Sequence, residues 1–295
     1  MLFSIHRLSC LGWYLWACSF SCRTVEASAS ASFPSTVEFD LVFPRNETYA
    51  LAPLFPFVFA VQNPQLAAAL NPSISFRTFR TDDYDATITS YEIDLSAANF
   101  SERSPYFTYR GTKAFHEAEG TWVIAWEAAA GNCSYGSGVD GAVGFSVSRP
   151  SRSITFTTRK GGQQPDVVAA TKGGVCGMNS TGSARTFNLT GVIDLTKVDV
   201  ISKLSVQGSP FKGRDSCAVL SPLQPHPSPN PYAVKVSSDM AMSISAKLTA
   251  SACRGDPHPV VTCAPAENFA SKLGNNLSVG VAGLWLVGAL VCFHF

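Results

Sequence analysis

The chain has 295 residues, with 22 Lys and Arg against 21 Asp and Glu, for a formal net charge of +1. Nucleic-acid phosphates are held mainly by Lys and Arg, so a chain without basic excess is not expected to bind nucleic acid. Nor is there an acidic excess of the kind that stores cations.

Residues 1 to 29 read as a secretory signal peptide. Arg7 supplies the basic region, Leu8 to Phe20 a short apolar run, and Ala27-Ser28-Ala29 the small residues of a cleavage site. A membrane span needs roughly 20 apolar residues, and this run is broken by Ser9, Gly12 and Ser19. Cleavage would leave 20 basic and 20 acidic residues, because Arg7, Arg23 and Glu26 depart.

Residues 30 to 264 are expected to form one mainly β, sandwich-like domain with one or two short helices. Thr36 to Phe43 alternates Val37, Phe39, Leu41 and Phe43 with the polar Glu38 and Asp40, the two-residue period of a strand with one face in a core. Phe55 to Val61 is denser and suits a central strand. Between Asn63, a candidate N-cap, and the stop at Asn71-Pro72, the run Gln65 to Leu70 predicts a short helix with Pro64 in its first turn. Strands follow at Ser73 to Arg80, Thr87 to Leu95, Thr121 to Glu127, Ala142 to Val147, Ser153 to Thr158, Arg185 to Val192, Tyr232 to Val236 and Met240 to Leu248. About ten short strands imply a sandwich.

Val192 to Leu204 fits helix or strand. The segment 221–231 holds five prolines and is expected to be an extended, exposed loop.

Residues 265 to 276 read as a polar spacer, with a short helix over Ala266 to Leu273, and residues 277 to 295 as an uncharged hydrophobic tail. No basic flank follows the tail, which favours a GPI signal over a single transmembrane anchor. Ser271, Gly274 and Asn275 are the candidate attachment residues.

Outside the signal and the tail lie five cysteines: Cys133, Cys176, Cys217, Cys253 and Cys263. They match no metal or redox spacing, and disulfides are their natural use in an oxidising compartment. Two bridges among five cysteines leave one thiol over, with the pairing open. Six asparagines sit in N-x-[ST] sequons, namely Asn46, Asn99, Asn132, Asn179, Asn188 and Asn276, which points to passage through the glycosylating compartment. A disulfide at Cys133 would compete with modification of Asn132.

The residues of catalytic or ligating type have weak settings. His226 and His258 lie in proline-rich stretches, and no G-x-S-x-G is present for a serine hydrolase. Phe115-His116-Glu117-Ala118-Glu119 places a histidine beside two carboxylates, but Gly120 leaves H-E-x-x-H incomplete, and a solvated turn is the expectation. Asp82, Asp83 and Asp85 read as a hydrated hairpin turn rather than a calcium loop.

Trp122 and Trp126 share one strand face with Ile124. They are expected in the core, with an aromatic platform for sugar rings as the alternative. Arg254-Gly255-Asp256 reads as a polar turn. By resemblance to the copper-dependent polysaccharide oxidases, a histidine would be required at the mature N-terminus, where cleavage here exposes Ser or Ala. No catalytic residue, cofactor or metal ligand is assigned, and the chain is not expected to be an enzyme.

The stretch from Val37 to Ala50, VEFDLVFPRNETYA, followed by Leu54 to Pro64, LFPFVFAVQNP, resembles the opening of a family of secreted fungal proteins known only as a domain of unknown function. The Trp122 to Cys133 strand, Gly174-Val175-Cys176 and the terminal apolar tail are similar too. The resemblance implies a fungal, extracytoplasmic setting and brings no catalytic residues.

The expected role is that of a GPI-anchored glycoprotein at the cell surface or cell wall, non-enzymatic, with cell-wall polysaccharide or another surface protein as partner. The alternative is a carbohydrate-binding or wall-modifying protein in which folding gathers two of Asp82, Asp85, Glu117, Glu119 and Glu127.

Overall fold

The computed structural model describes residues 32–135, 143–172, 182–198, 214–222, 227–255 and 259–263. Two sheets face one another. The first is antiparallel throughout. Strand β1 (Ser35–Phe43) lies at its centre between β3 (Phe55–Gln62) and β10 (Ala184–Asp194), with β6 (Tyr106–Thr112) and β11 (Ser216–Leu220) at the two edges. The second runs in the order β2 (Thr48–Tyr49), β9 (Ser151–Thr158), β7 (Gly120–Tyr135), β4 (Ser73–Arg80), β5 (Asp83–Asp94). Its β2–β9 pair is parallel and the others antiparallel. The far half of the 16-residue β7 pairs with β8 (Val143–Ser148). The chain is therefore a β-sandwich-like domain with a few helices, as the alternation of its strands implies.

The apolar positions of β1 do what their period requires. Phe39 meets Phe187 edge-on at 5.7 Å, and Phe59, which stands opposite Leu41 in the register, contacts Phe76 and Trp126 of the second sheet. Phe55 anchors the centre, with Phe43, Tyr49, Phe57, Phe115 and Phe156 around it at ring distances of 5.2 to 5.8 Å. Such offset and edge-to-face pairs add to the energy of burial alone.

The other face of β1 departs from the simple reading of its sequence. Glu38, Asp40 and Val42 are buried as well, so the first sheet is covered on both sides. The cover is the extended segment 227–236, α1 (Ala169–Lys172) and α2 (Ser238–Gly255). Pro227 accepts from Thr186 Oγ1 at 2.7 Å, and Asn230 N donates to both Glu38 oxygens at 2.7 and 2.9 Å. Val236 N and the Lys235 ammonium donate to Thr171. Part of the proline-rich stretch thus docks as a strap; residues 223–226 lie outside the described residues.

Two expected strands are not strands. Tyr232 to Val236 belongs to the strap, and Met240 to Leu248 lies inside α2, which is 18 residues long. The alternation of Met240, Met242 and Ile244 suggests a strand, yet Met242 is exposed while Ile244 and Leu248, four apart, are buried. Ser237 Oγ accepts from Met240 N at 3.2 Å, capping the first turn, and Asp239 complements the dipole there.

Val192 to Asp194 continues β10, and a short 3-10 turn follows at Leu195–Lys197. The helix after Asn63 is also 3-10, Pro64–Leu70. Asn63 does not cap it, since its amide donates instead to Ser35 Oγ and Thr36 O, and both Asn63 and Asn71 sit in the left-handed region. The expected helix over Ala266 to Leu273, residues 1–31 and the tail lie outside the described residues.

Candidate functional site

Four of the candidate cysteines are paired. Cys133 bonds Cys217 and Cys253 bonds Cys263; Cys176 lies outside the described residues. The first bridge ties β7 of one sheet to β11 of the other. Beside it, Asn132 Oδ1 accepts from Leu220 N at 2.8 Å, and Asn132 Nδ2 donates to Ser146 Oγ of β8 at 3.4 Å. The Asn132 amide is thus spent on holding three strands together. Among the other sequon residues, Asn46 and Asn99 are exposed, Asn188 is half-buried in β10, and Asn179 and Asn276 lie outside the described residues, as do Ser271, Gly274 and Asn275.

Trp122 and Trp126 are each 1% exposed. Their indole N–H groups donate to Thr158 Oγ1 at 2.7 Å and Gly182 O at 2.9 Å, so these rings belong to the core and no sugar platform is formed from them.

The five carboxylates named from the sequence lie on the β4–β5 hairpin, the loop before β7 and β7 itself. Asp82 pairs with Arg80 at 2.8 Å across a surface turn. Asp83 Oδ1 accepts from Asp85 N and Ala86 N, which builds the hairpin turn. Glu119 accepts from Lys160 N at 3.2 Å, Glu117 is exposed, and Glu127 faces outward opposite Ser75 and Ser151. Among the described residues no group of three or more His, Cys, Asp or Glu is placed to hold a metal ion. Arg254 and Gly255 close α2, and Asp256 lies outside the described residues.

A groove of about 460 Å³ opens on the outer face of the second sheet. The register explains its walls. Ser73 of β4 stands opposite Asp94 of β5 on one side and Ala129 of β7 on the other, and Ser75 likewise stands between Glu92 and Glu127. The central strands supply small residues, Ser73, Ala129 and Gly131, which leave the backbone open. The flanking β5 supplies Glu92 and Asp94, and the β8–β9 turn supplies Arg149 from across the groove. Asp94 accepts from Ser96 N at 2.7 Å. That hydrogen bond, helped by the charge of Arg214, holds its carboxyl below the ordinary range, so it is ionised wherever the groove meets near-neutral water. Two acceptor carboxylates facing a guanidinium over a polar floor suit a hydroxyl-rich ligand.

A second acidic pair, Glu38 and Asp40, lies under the strap, where the alternation of β1 alone would leave it facing solvent. Gln62 donates to Glu38 Oε1 at 3.1 Å and to Asp40 Oδ2 at 2.8 Å, while Asp40 Oδ1 finds no donor among the described residues. Burial first, and then the Glu38 charge, push the Asp40 carboxyl well above its usual range; burial also raises Glu38. Both carboxyls are thus easier to protonate than free ones, and the donors that reach them are the Gln62 amide and, at Glu38, the backbone N–H of Asn230. Nearby Arg45 is held below its ordinary pKa, chiefly by burial. Asp40 is sealed from solvent, so the pair acts as a clasp for the strap rather than a site for a ligand.

Among the described residues no helix is long and apolar enough to cross a membrane. A family model described as a domain of unknown function, DUF7136, matches residues 32–263. Searches of curated proteins and of solved structures return no match.

Proposed function

The chain belongs to the DUF7136 family, and from that premise we propose that it is an extracellular, non-enzymatic glycoprotein domain of fungal origin, displayed at the cell surface or wall on a GPI anchor. The observation that carries this reading is the Cys133–Cys217 bridge. It closes the sandwich between its two sheets, and such structural bridges persist in oxidising compartments. The sequons at exposed Asn46 and Asn99 support the same route.

Expression in a fungal host tests it directly. Phosphatidylinositol-specific phospholipase C should release the protein from membranes, and Asn46→Gln and Asn99→Gln should each lower its mass by one glycan. Retention in the membrane pellet would favour a transmembrane anchor; unglycosylated protein with reduced thiols in the cytosol would sink the whole reading.

A second reading, carbohydrate binding, is favoured by the groove itself. Ionised Asp94, together with Glu92 and Arg149, offers acceptors and donors to sugar hydroxyls. On a glycan array, the secreted protein should retain a polysaccharide that Glu92→Ala/Asp94→Ala and Arg149→Ala lose by at least about tenfold, the worth of one charged hydrogen bond. Equal retention by the folded variants excludes the groove.

A further inference from the structure

The segment that leads into β10 makes a very close approach to the second sheet at Gly182. A Cβ at that position would lie 2.2 Å from the Ser153 carbonyl oxygen and 2.9 Å from Ile154 Cγ2, so only glycine lets the backbone of this segment rest on β9. The Trp126 indole fastens the seam by donating to Gly182 O. In consequence the first residues of β9 and β10 lie side by side, although they belong to different sheets.

Each of these strand starts carries an arginine that points inward. Arg152 stands opposite Trp126 in the β7–β9 register, and Arg185 opposite Phe39 in the β1–β10 register. Because directly paired residues of a sheet project to the same face, both side chains lie on the core side, at the mouth of the sandwich. Both are half-buried.

Their hydrogen-bonding capacity is almost unspent. A guanidinium carries five N–H donors. Arg152 places one on the Ser151 carbonyl at 3.1 Å, and among the described residues Arg185 has no acceptor. The Nε of each is shielded from solvent and has no partner. Neither forms an ion pair among the described residues, and the charge of Arg152, after burial, helps to lower the pKa of Arg185. The Phe187 ring lies 6.0 Å from the Arg185 guanidinium, which occupies its flat face and leaves its N–H edge open.

Two like charges, partly desolvated and without a counter-ion among the described residues, are an unfavourable arrangement in a folded protein. An oxyanion placed between them reverses the sign of the interaction and accepts from both forks, the geometry in which arginine binds sulfate, phosphate and carboxylate most strongly. We propose that Arg152 and Arg185 form an oxyanion-binding site at the mouth of the sandwich, which takes the sulfate, phosphate or carboxylate group of an acidic ligand. The site lies on the core side of the second sheet, away from the groove on its outer face, and does not depend on it.

Thermal unfolding of the mature glycoprotein at constant ionic strength tests the site. Inorganic phosphate, sulfate and galacturonate are titrated separately against chloride. The midpoint should rise saturably with at least one oxyanion and stay flat with chloride, and the most effective anion assigns the chemical class. Arg152→Gln and Arg185→Gln should each abolish the saturable rise, and Arg185→Lys, which keeps the charge but loses the fork, should weaken it about tenfold.

A rise of the same size with chloride, or one that persists unchanged in Arg185→Gln, marks a general salt effect and overturns the proposal. If the glutamine variants do not fold, phenylglyoxal modification of the wild type decides. The effective anion should protect Arg152 and Arg185 from labelling and leave Arg149 reactive; equal labelling with and without it refutes the site.

Discussion

Asp40 and Glu38 tie the stability of the first sheet to pH. Both carboxyls titrate above their usual values in the folded chain, burial being the main cause in each. The folded state therefore holds a proton that the unfolded state releases near pH 4. Their contribution is complete below that value and is lost as pH rises through the higher folded values. The part of the thermal midpoint that depends on Asp40 should thus be largest in mild acid and shrink toward neutrality. Asp40→Asn keeps a donor for Glu38 without a titrating proton, so its midpoint should change less over the same range. An Asp40→Asn profile parallel to that of the wild type from pH 4 to 7 contradicts the raised carboxyls. The sequence shows two acids on one strand; it does not show that a segment from beyond residue 226 lies over them, which is why they read as solvent-facing.

Among the elements, β7 and β11 depend most on their covalent link. The Cys133–Cys217 bridge closes a loop with a sequence separation of 84, and Cys253–Cys263 one of 10. On chain-entropy grounds the first is worth about 4–5 kcal/mol and the second about 2–3. Cys133→Ala/Cys217→Ala should therefore shift the urea midpoint more than Cys253→Ala/Cys263→Ala, and equal shifts would show that β11 stays docked without the bridge, through its pairing with β10 and the Leu220–Asn132 hydrogen bond. Strands with a clear period, such as β1, β3, β4 and β9, are legible in the sequence to within a residue or two. β6 and β11 are not, because Tyr106 to Tyr109 is partly buried at every position, with no alternation, and Ser216–Leu220 is short and bounded by irregular chain. α2 misleads for a different reason: its cap at Ser237 and its i, i+4 stripe are weak beside three alternating apolar residues. The groove is illegible in principle, since Ser73, Glu92, Ala129 and Arg149 meet only through register and the β8–β9 turn.

At the scale of the whole molecule, the order of strands in space differs from their order along the chain. β1 opens the fold, yet it pairs with β10, so that Ser35 meets Leu189. Such long-range pairing makes for slow folding, because loop closure precedes any gain. A chain stopped before Ala184 should show no cooperative thermal transition by circular dichroism, having one edge of β1 bare and Cys217 missing; a sharp transition in that fragment would mean that the second sheet folds by itself.

The rims of the two sheets are also unequal. α2 packs against β6, one rim of the first sheet, whereas β5, a rim of the second, is exposed along most of its 12 residues. That rim carries Asp83, Asp85, Glu92 and Asp94 and no basic residue. Two copies meeting rim to rim in opposite directions would bring anionic ends together, so mutual repulsion keeps the molecules apart while those groups are ionised. With those four side chains replaced by neutral ones, the same bare backbone would be a template for ribbon-like self-association.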